Sequence, residues 1–472
     1  MSRLLPLAAA LVSVAAGAQA KKEPARLPPD LEAVFGLAMA APPEFAASAM
    51  LRLNGRIPDR DLRRDLIDMA FRFAAKAQNP VRLIAVPGSE VDTRTASLAS
   101  ALRLKMDALS LQASAIREML AVDTRHARDL FAQMAKPSVS VAGCEDSLVP
   151  ELAPYYEALA AVAQSSFDEK ERAKGEHYAF ARAGLSGVSK VAELAPAANA
   201  IAGLDWSREH FEIILGSFTA KLEGVNADSR TFLYYSREIE KAIVALAARA
   251  RAVGADPKTL AETYRKFLVT QLKAPRCADA DQIVGRIASG EHTQLFSEEI
   301  RGDQPALTGD EATPEQIEGE MKLDRYWQTE SARRIFELCL QLRQSANGMT
   351  LPESQRRTPE WARQLTDFLG TLANWRPNEE ASDADFYHQK ATVYEALLEL
   401  TPPGDAGDRV IENYVAFLKS ASLQQQNAVE WFWHARSTVA RVRPGHPEQA
   451  AKLLAAFRAS GNIVLMLEAM LD

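Results

Sequence analysis

The chain has 472 residues, is 47% hydrophobic and 25% charged, and carries a formal net charge of −7. That composition is ordinary for a globular protein and the length suits two or three domains or one extended repeat array. The mild acidity and the lack of any concentrated basic run exclude nucleic acid as the expected partner and offer no attraction to anionic lipid.

The first residues read as a secretory signal peptide. Met1-Ser2-Arg3 is a short basic start, Leu4 to Ala16 is an apolar run, and Ala18-Gln19-Ala20 is a small-x-small cleavage site. Residues 1–20 are therefore expected to be cleaved after Ala20. The residue directly after that site is Lys21 rather than a cysteine, and no later run reaches the roughly eighteen apolar residues that span a bilayer. The sequence predicts an exported protein, periplasmic or secreted, with no transmembrane segment.

From there the apolar pattern is helical almost throughout. Leu62, Leu66, Met69, Ala70 and Phe73 recur at three and four residues, as do Leu102, Met106, Leu109, Ala113, Ile116 and Leu120. No run of period-two alternation bounded by turn residues stands against it. The pattern predicts helices over 30–40, 43–54, 59–77, 93–121, 124–135, 152–165, 167–184, 207–224, 227–253, 257–273, 315–345, 359–373, 383–400, 408–420, 424–442 and 447–470, the last broken near Gly461. Thr313-Pro314-Glu315 and Thr358-Pro359-Glu360 each offer a capping hydroxyl, a proline at the first helical position and an acid in the first turn. Gly55, Gly254 and Pro402-Pro403 mark stops.

Three irregular stretches interrupt the helices, at 136–151, 299–314 and 345–358. The second is acidic and rich in Gly, Pro and Thr, and reads as a mobile linker. The expected division is an N-terminal helical domain over 21–298, a linker over 299–314 and a C-terminal helical domain over 315–472.

Sequential helices joined by short loops pack as antiparallel neighbours. The fold class expected is all-α, with antiparallel hairpins stacked as an α-solenoid or multi-layer helical array. Glu262-Thr263-Tyr264-Arg265-Lys266-Phe267-Leu268 and Glu412-Asn413-Tyr414-Val415-Ala416-Phe417-Leu418 are near copies. The pair of helices around Asp123-Thr124 loosely resembles a tetratricopeptide hairpin. The Trp, Gly, Tyr and Pro of that family's full pattern are absent, and the resemblance carries over no functional residue.

Three cysteines are the most specific chemical signal. Cys144 and Cys277 lie in loops, where the backbone is free to meet bridge geometry, and Cys339 lies mid-helix among apolar neighbours. An exported protein meets an oxidising compartment, so a Cys144–Cys277 disulfide and a free, buried Cys339 are expected.

Other catalytic and metal patterns are missing. Glu176-His177, Glu209-His210 and Glu291-His292 never extend to His-Glu-x-x-His, and adjacent residues on a helix point about 100° apart, too far to chelate one ion well. No metal and no cofactor is expected. Gly-x-Ser-x-Gly, Gly-x-Gly-x-x-Gly and the P-loop pattern are absent, and the 62 acids contain no distinguishable carboxylate pair.

The aromatic segment Glu430-Trp431-Phe432-Trp433-His434-Ala435-Arg436 is the best binding candidate. On a helix, Ala428, Trp431, Phe432, Ala435, Val439 and Val442 form one apolar stripe. Trp433 falls far from its centre, beside Glu430, Ser437 and Arg441. Phe386-Tyr387-His388-Gln389-Lys390 poses the same problem. Either both helices are buried on two sides, or Trp433 and one of Tyr387 or His388 face a groove. The expected binding residues are thus Trp433, His434, Tyr387, His388, Glu430 and Arg441, an aromatic platform with polar flanks.

The function expected is a non-enzymatic exported scaffold that binds a protein or peptide partner in the cell envelope. The rivals are an envelope glycan hydrolase or lyase with a carboxylate pair, and a purely structural envelope component. Nothing in the chain sets an oligomeric state.

Overall fold

The computed structural model describes residues 27–83, 96–136, 138–144, 148–277, 292–316, 329–345, 347–377, 383–421 and 428–472. The expected signal peptide lies outside them. The described chain is mostly helical. Its first half contains α1 (Pro29–Ala40), α2 (Pro43–Asn54), α3 (Arg60–Ala74), a 3-10 turn (Ala96–Ala99), α4 (Ser100–Arg103), α5 (Ala108–Leu120), α6 (Thr124–Gln133), α7 (Ala153–Ser165), α8 (Glu169–Ala173), α9 (Glu176–Leu185), α10 (Val191–Gly203), α11 (Arg208–Glu223), α12 (Ser229–Ala252) and α13 (Lys258–Lys273). After it come α14 (His292–Leu295), α15 (Glu298–Arg301), α16 (Gly309–Ala312), α17 (Glu330–Arg343), α18 (Glu353–Arg356), α19 (Pro359–Asn374), α20 (Asp383–Leu400), α21 (Asp405–Leu418), α22 (Ala428–Gly445), α23 (Pro447–Ala459) and α24 (Ile463–Leu471).

Several expected boundaries move, each for a local reason. The helix expected over 93–121 breaks at Lys105, whose φ is +55°, and Asp107 then caps α5 through Ser110 N–H at 2.8 Å. The helix expected over 167–184 is divided by Gly175, in the left-handed region at φ +72°. Of the helix expected over 315–345, the described residues hold only Glu330–Arg343; residues 317–328 lie outside them. Helix α10 has no counterpart among the expected elements. It is Ala-rich, buried on most sides and carries Pro196 inside, so it lacks the periodic apolar stripe that marks a half-buried helix. Two three-residue strands, β1 (Val81–Leu83) and β2 (Leu148–Pro150), pair antiparallel with Arg82 opposite Val149. Runs that short leave no readable alternation.

Helices pack on their neighbours and on helices two or three further along, as in α3 on α5, α5 on α7, α7 on α10 and α10 on α12. Two large apolar cores result. The first runs from Ile67 to Ala312, around Tyr156, Phe211, Phe232, Ile243 and Tyr264. The second joins Leu31–Ile57 to Ala332–Leu471. Helix α3 serves both, with Ile67 and Phe71 in the first and Leu66 and Ala70 in the second.

The division between the cores therefore does not fall at 299–314. That segment packs on the first core through Ile300, Leu307 and Ala312. Arg265 pairs with Glu311 at 2.9 Å, and a capping box joins Thr308 to Glu311. Glycine, proline and threonine there make caps and turns rather than slack chain. The N-terminal helices belong instead with the C-terminal half. Phe45 meets Phe432 edge to face at 6.4 Å, and Arg52 Nη2 donates to the Leu471 carbonyl at 2.5 Å.

The Cys144–Cys277 disulfide is present, with the Cα atoms 5.5 Å apart. It ties the loop after α6 to the end of α13. Cys339 is free but half-buried rather than enclosed in the core. Helix α17 buries Ala332, Ile335 and Leu342 and leaves the Cys339 side on an open groove.

Candidate functional site

Helices α20 and α22 lie side by side, and α21 packs on α20. In α20, His388 and Glu395 are seven residues apart, two turns, and so share a face. In α22, His434, Thr438 and Arg441 recur at four and three residues and share another. These two polar faces meet inside the second core.

The contact is a chain of hydrogen bonds. His434 Nδ1 lies 2.7 Å from Glu395 Oε1, and His434 Nε2 lies 3.0 Å from His388 Nδ1. Thr438 Oγ1 donates to Glu395 Oε1 at 2.6 Å, and Tyr414 of α21 reaches the same oxygen at 3.4 Å. Arg441 pairs with Glu395 Oε2, and its Nε lies 3.5 Å from Glu399. Glu395 is 2% exposed and His434 is fully enclosed.

Electrostatics fixes much of the proton arrangement. Burial pushes the Glu395 carboxyl up, but His434, Arg441 and Thr438 outweigh burial and hold it down to about 2. Glu395 is therefore an acceptor, and His434 Nδ1 must donate to it. His388 is pushed well below the ordinary histidine value by burial first, then by His434 and Arg103. A neutral His388 offers one donor and one acceptor, and only Nδ1 has a partner. Its Nε2 is buried with no hydrogen-bond partner among the described residues, as are Trp433 Nε1 and Tyr387 Oη.

Of the residues expected to line a groove, Tyr387, His388, His434, Trp433 and Arg441 come together in one cluster. Both Tyr387 and His388 are buried, so α20 is packed on two sides. Tyr387 stacks on Phe417 at 4.7 Å and meets Trp431 at 5.0 Å. Trp433 is half-buried; its ring stacks on His434 at 3.8 Å, and the Arg103 guanidinium covers it at 5.0 Å. Glu430 is half-buried on the same helix. Arg441 stays half-exposed at the mouth of the cluster.

Glu395, the hub of the cluster, was not among the expected residues. Its signal was present: one acid among Val393, Tyr394, Leu397 and Leu398, on the same face as His388. A lone charge in an apolar face needs a buried partner from elsewhere.

The other face of α20 borders a groove of about 440 Å³ between α17 and α20. Cys339, Leu340, Val393, Ala396 and Leu400 form apolar walls, with Arg343 and Arg356 at the rim. Phe336 in the lining is 51% exposed, and Met349, next in sequence to the lining residue Thr350, is 71% exposed. Arg356 Nη1 donates to the Leu400 carbonyl, and Glu399 is met by Arg441. Arg343 has no ion pair among the described residues. The groove and the histidine chain thus share one helix, with Arg441 linking Glu395 to Glu399 between them.

Elsewhere, His177 and His210 flank the Tyr178 ring at 3.8 and 4.0 Å. Among the described residues no group of three His, Cys, Asp or Glu is placed to hold a metal ion, and no helix is long and apolar enough to cross a membrane.

No family model, no curated protein and no solved structure matches the chain.

Proposed function

We propose that the protein is an exported helical scaffold, its hairpins stacked in the manner of a solenoid, that binds a protein or peptide partner in the cell envelope. The signal-like segment 1–20 and the Cys144–Cys277 disulfide support export, since such bridges persist in oxidising compartments. The α17–α20 groove carries the binding reading. It has the volume of a ligand site, apolar walls and a large, half-exposed apolar side chain, Phe336, in its lining. Its occupant is an apolar segment flanked by acid, because two cations, Arg343 and Arg356, line the groove against one acid, Glu399.

The enzymatic alternative, a glycan hydrolase or lyase, has less support. Glu395 stays ionised and enclosed, so it holds no proton to give at neutral pH. Asp107, pushed up to about 6 by burial, is committed as the cap of α5.

The test places a photoreactive residue at Met349 in the mature chain and illuminates it in envelope extract. Ala396→Trp, which fills the groove, is the control. A partner captured by the first chain and lost with Ala396→Trp, at unchanged melting temperature, supports the reading. Equal capture by both chains rejects the groove, and no capture by either favours glycan cleavage assays.

A further inference from the structure

We propose that the Glu395–His434–His388 chain is a proton-sensitive latch, which on acidification loosens α20 from α22 and so reshapes the α17–α20 groove. As control of binding this rests on the groove being the partner site; the loosening of α20 does not.

The geometry carries the idea. Helix α20 is fastened to α22 by the His388–His434 and His434–Glu395 contacts at 3.0 and 2.7 Å. The same helix supplies Thr392, Val393, Ala396, Glu399 and Leu400 to the groove. A displacement of α20 at the latch is a displacement of the groove wall.

The chain has one place left for a proton, and it is a poor one. With His434 Nδ1–H directed at Glu395, the two histidines share a single donor between His434 Nε2 and His388 Nδ1. A further proton goes to His388 Nε2, since the single donor of the contact is already in place, and it makes a charged imidazolium inside the second core, where unpaired charge is costly. His388 Nε2–H would then also be a buried donor with no described acceptor. The charged groups around it do not help. Arg103 from α4 covers Trp433, which stacks with His388, and Arg441 from α22 holds Glu395 on its far side. Tyr387 and Tyr414 are neutral, pushed up by burial. Glu395, the facing anion among the described residues, is already met by His434, Thr438 and Arg441.

The sign follows. His388 binds its proton less readily folded than unfolded, so the unfolded chain takes up protons first as pH falls. Stability is full above about 6.5, the unfolded histidine value, and falls below it, roughly tenfold in the folding constant per pH unit until the folded group titrates. Asp107, raised to about 6 by burial, acts in the opposite direction. Comparison with a His388 variant removes that background.

The experiment labels Cys339, the free thiol in the groove wall, with an environment-sensitive fluorophore in the mature, oxidised chain. Emission is followed from pH 7.5 to 4.5 in the labelled chain and in labelled His388→Gln. The expected result is a spectral shift in the first and none in the second. The ratio of their folding constants from urea melts should change about tenfold per pH unit below 6.5. Histidine ring nitrogen shifts in the unsubstituted chain supply a second reading that does not depend on the variant folding. They should show His388 neutral throughout the range where the fluorophore is unshifted. Identical pH responses in both chains, or a fluorophore shift with His388 still neutral, would overturn the latch.

Discussion

Glu44 Oε1 accepts a hydrogen bond from the Val429 N–H at 3.0 Å, across 385 residues of chain. The acid sits in the first turn of α2, and the N–H opens α22. The first N–H groups of a helix have no partner within it, and a carboxylate there also meets the positive end of the helix dipole. The contact is buried, so burial pushes the Glu44 carboxyl up while the Val429 and Ala428 amides pull it down. One end of the chain thus fixes the start of the helix that carries His434, Thr438 and Arg441.

Replacing Glu44 by alanine removes that cap and leaves a buried N–H. The expected loss is about 1–2 kcal/mol. Glu44→Gln keeps an acceptor oxygen and should lose less. Urea melts of the two variants give the order, and equal losses would show that the charge rather than the acceptor matters.

The Cys144–Cys277 bridge closes a loop with a sequence separation of 133. Constraint of the unfolded chain by so long a loop is worth roughly 4–5 kcal/mol at most. Cys144→Ser with Cys277→Ser should fall by up to that amount in urea melts. Thiol titration of the unfolded, unreduced chain should find one group, Cys339. Three groups without reductant would mean that the bridge is not formed.

Gly184 is needed for the close approach of α9 to α7. A Cβ at that position would stand 2.5 Å from Leu159 Cδ1 and 2.7 Å from Cδ2. Leu159 is fully enclosed and has nowhere to retreat. Gly184→Ala should therefore destabilise by about 1–3 kcal/mol, despite the better helix propensity of alanine. The enclosed half of the pair predicts relief: Gly184→Ala combined with Leu159→Ala should be less damaged than the separate losses suggest.

The legible part of this fold is the part written in local chemistry. Thr358-Pro359-Glu360 opens α19 where the cap signal places it, and the Thr358 hydroxyl accepts from Trp361 N–H. The loop cysteines meet, as their positions outside the helices suggest. The groove face of α17 was hidden, because Phe336, Cys339 and Leu340 read as core when a helix is seen without its neighbours. The joining of α1 and α2 to the C-terminal half was hidden too, since apolar periodicity says which face is buried and never against what. Trp433 stands out in the sequence because it falls off the apolar stripe of its helix, and the structure places its ring against His434 and His388. Glu395 was missed because its partners, His434, Thr438 and Arg441, lie on another helix.

Glu395→Gln separates the ion pair from the hydrogen bonds. Glutamine fits the space and can still accept from Thr438 and Tyr414, but it offers no charge to His434 or Arg441. The Glu395 carboxyl is held at about 2, against an ordinary 4.5. That depression is worth about 3 kcal/mol of stability above pH 4.5. Removal of one member of a buried pair costs about 3–5 kcal/mol. Arg441 is 46% exposed and can turn to water and Glu399, so the lower figure applies. The folded carboxyl binds its proton later than the unfolded one as pH falls. Its contribution is therefore present above 4.5 and lost as pH falls through about 2. In urea melts Glu395→Gln should lie about 3 kcal/mol below the unsubstituted chain at pH 7, and the gap should close between pH 4.5 and 2. A gap that stays constant to pH 2 would mean that Glu395 contributes through packing and hydrogen bonds alone, and that the His434 and Arg441 contacts are electrostatically idle.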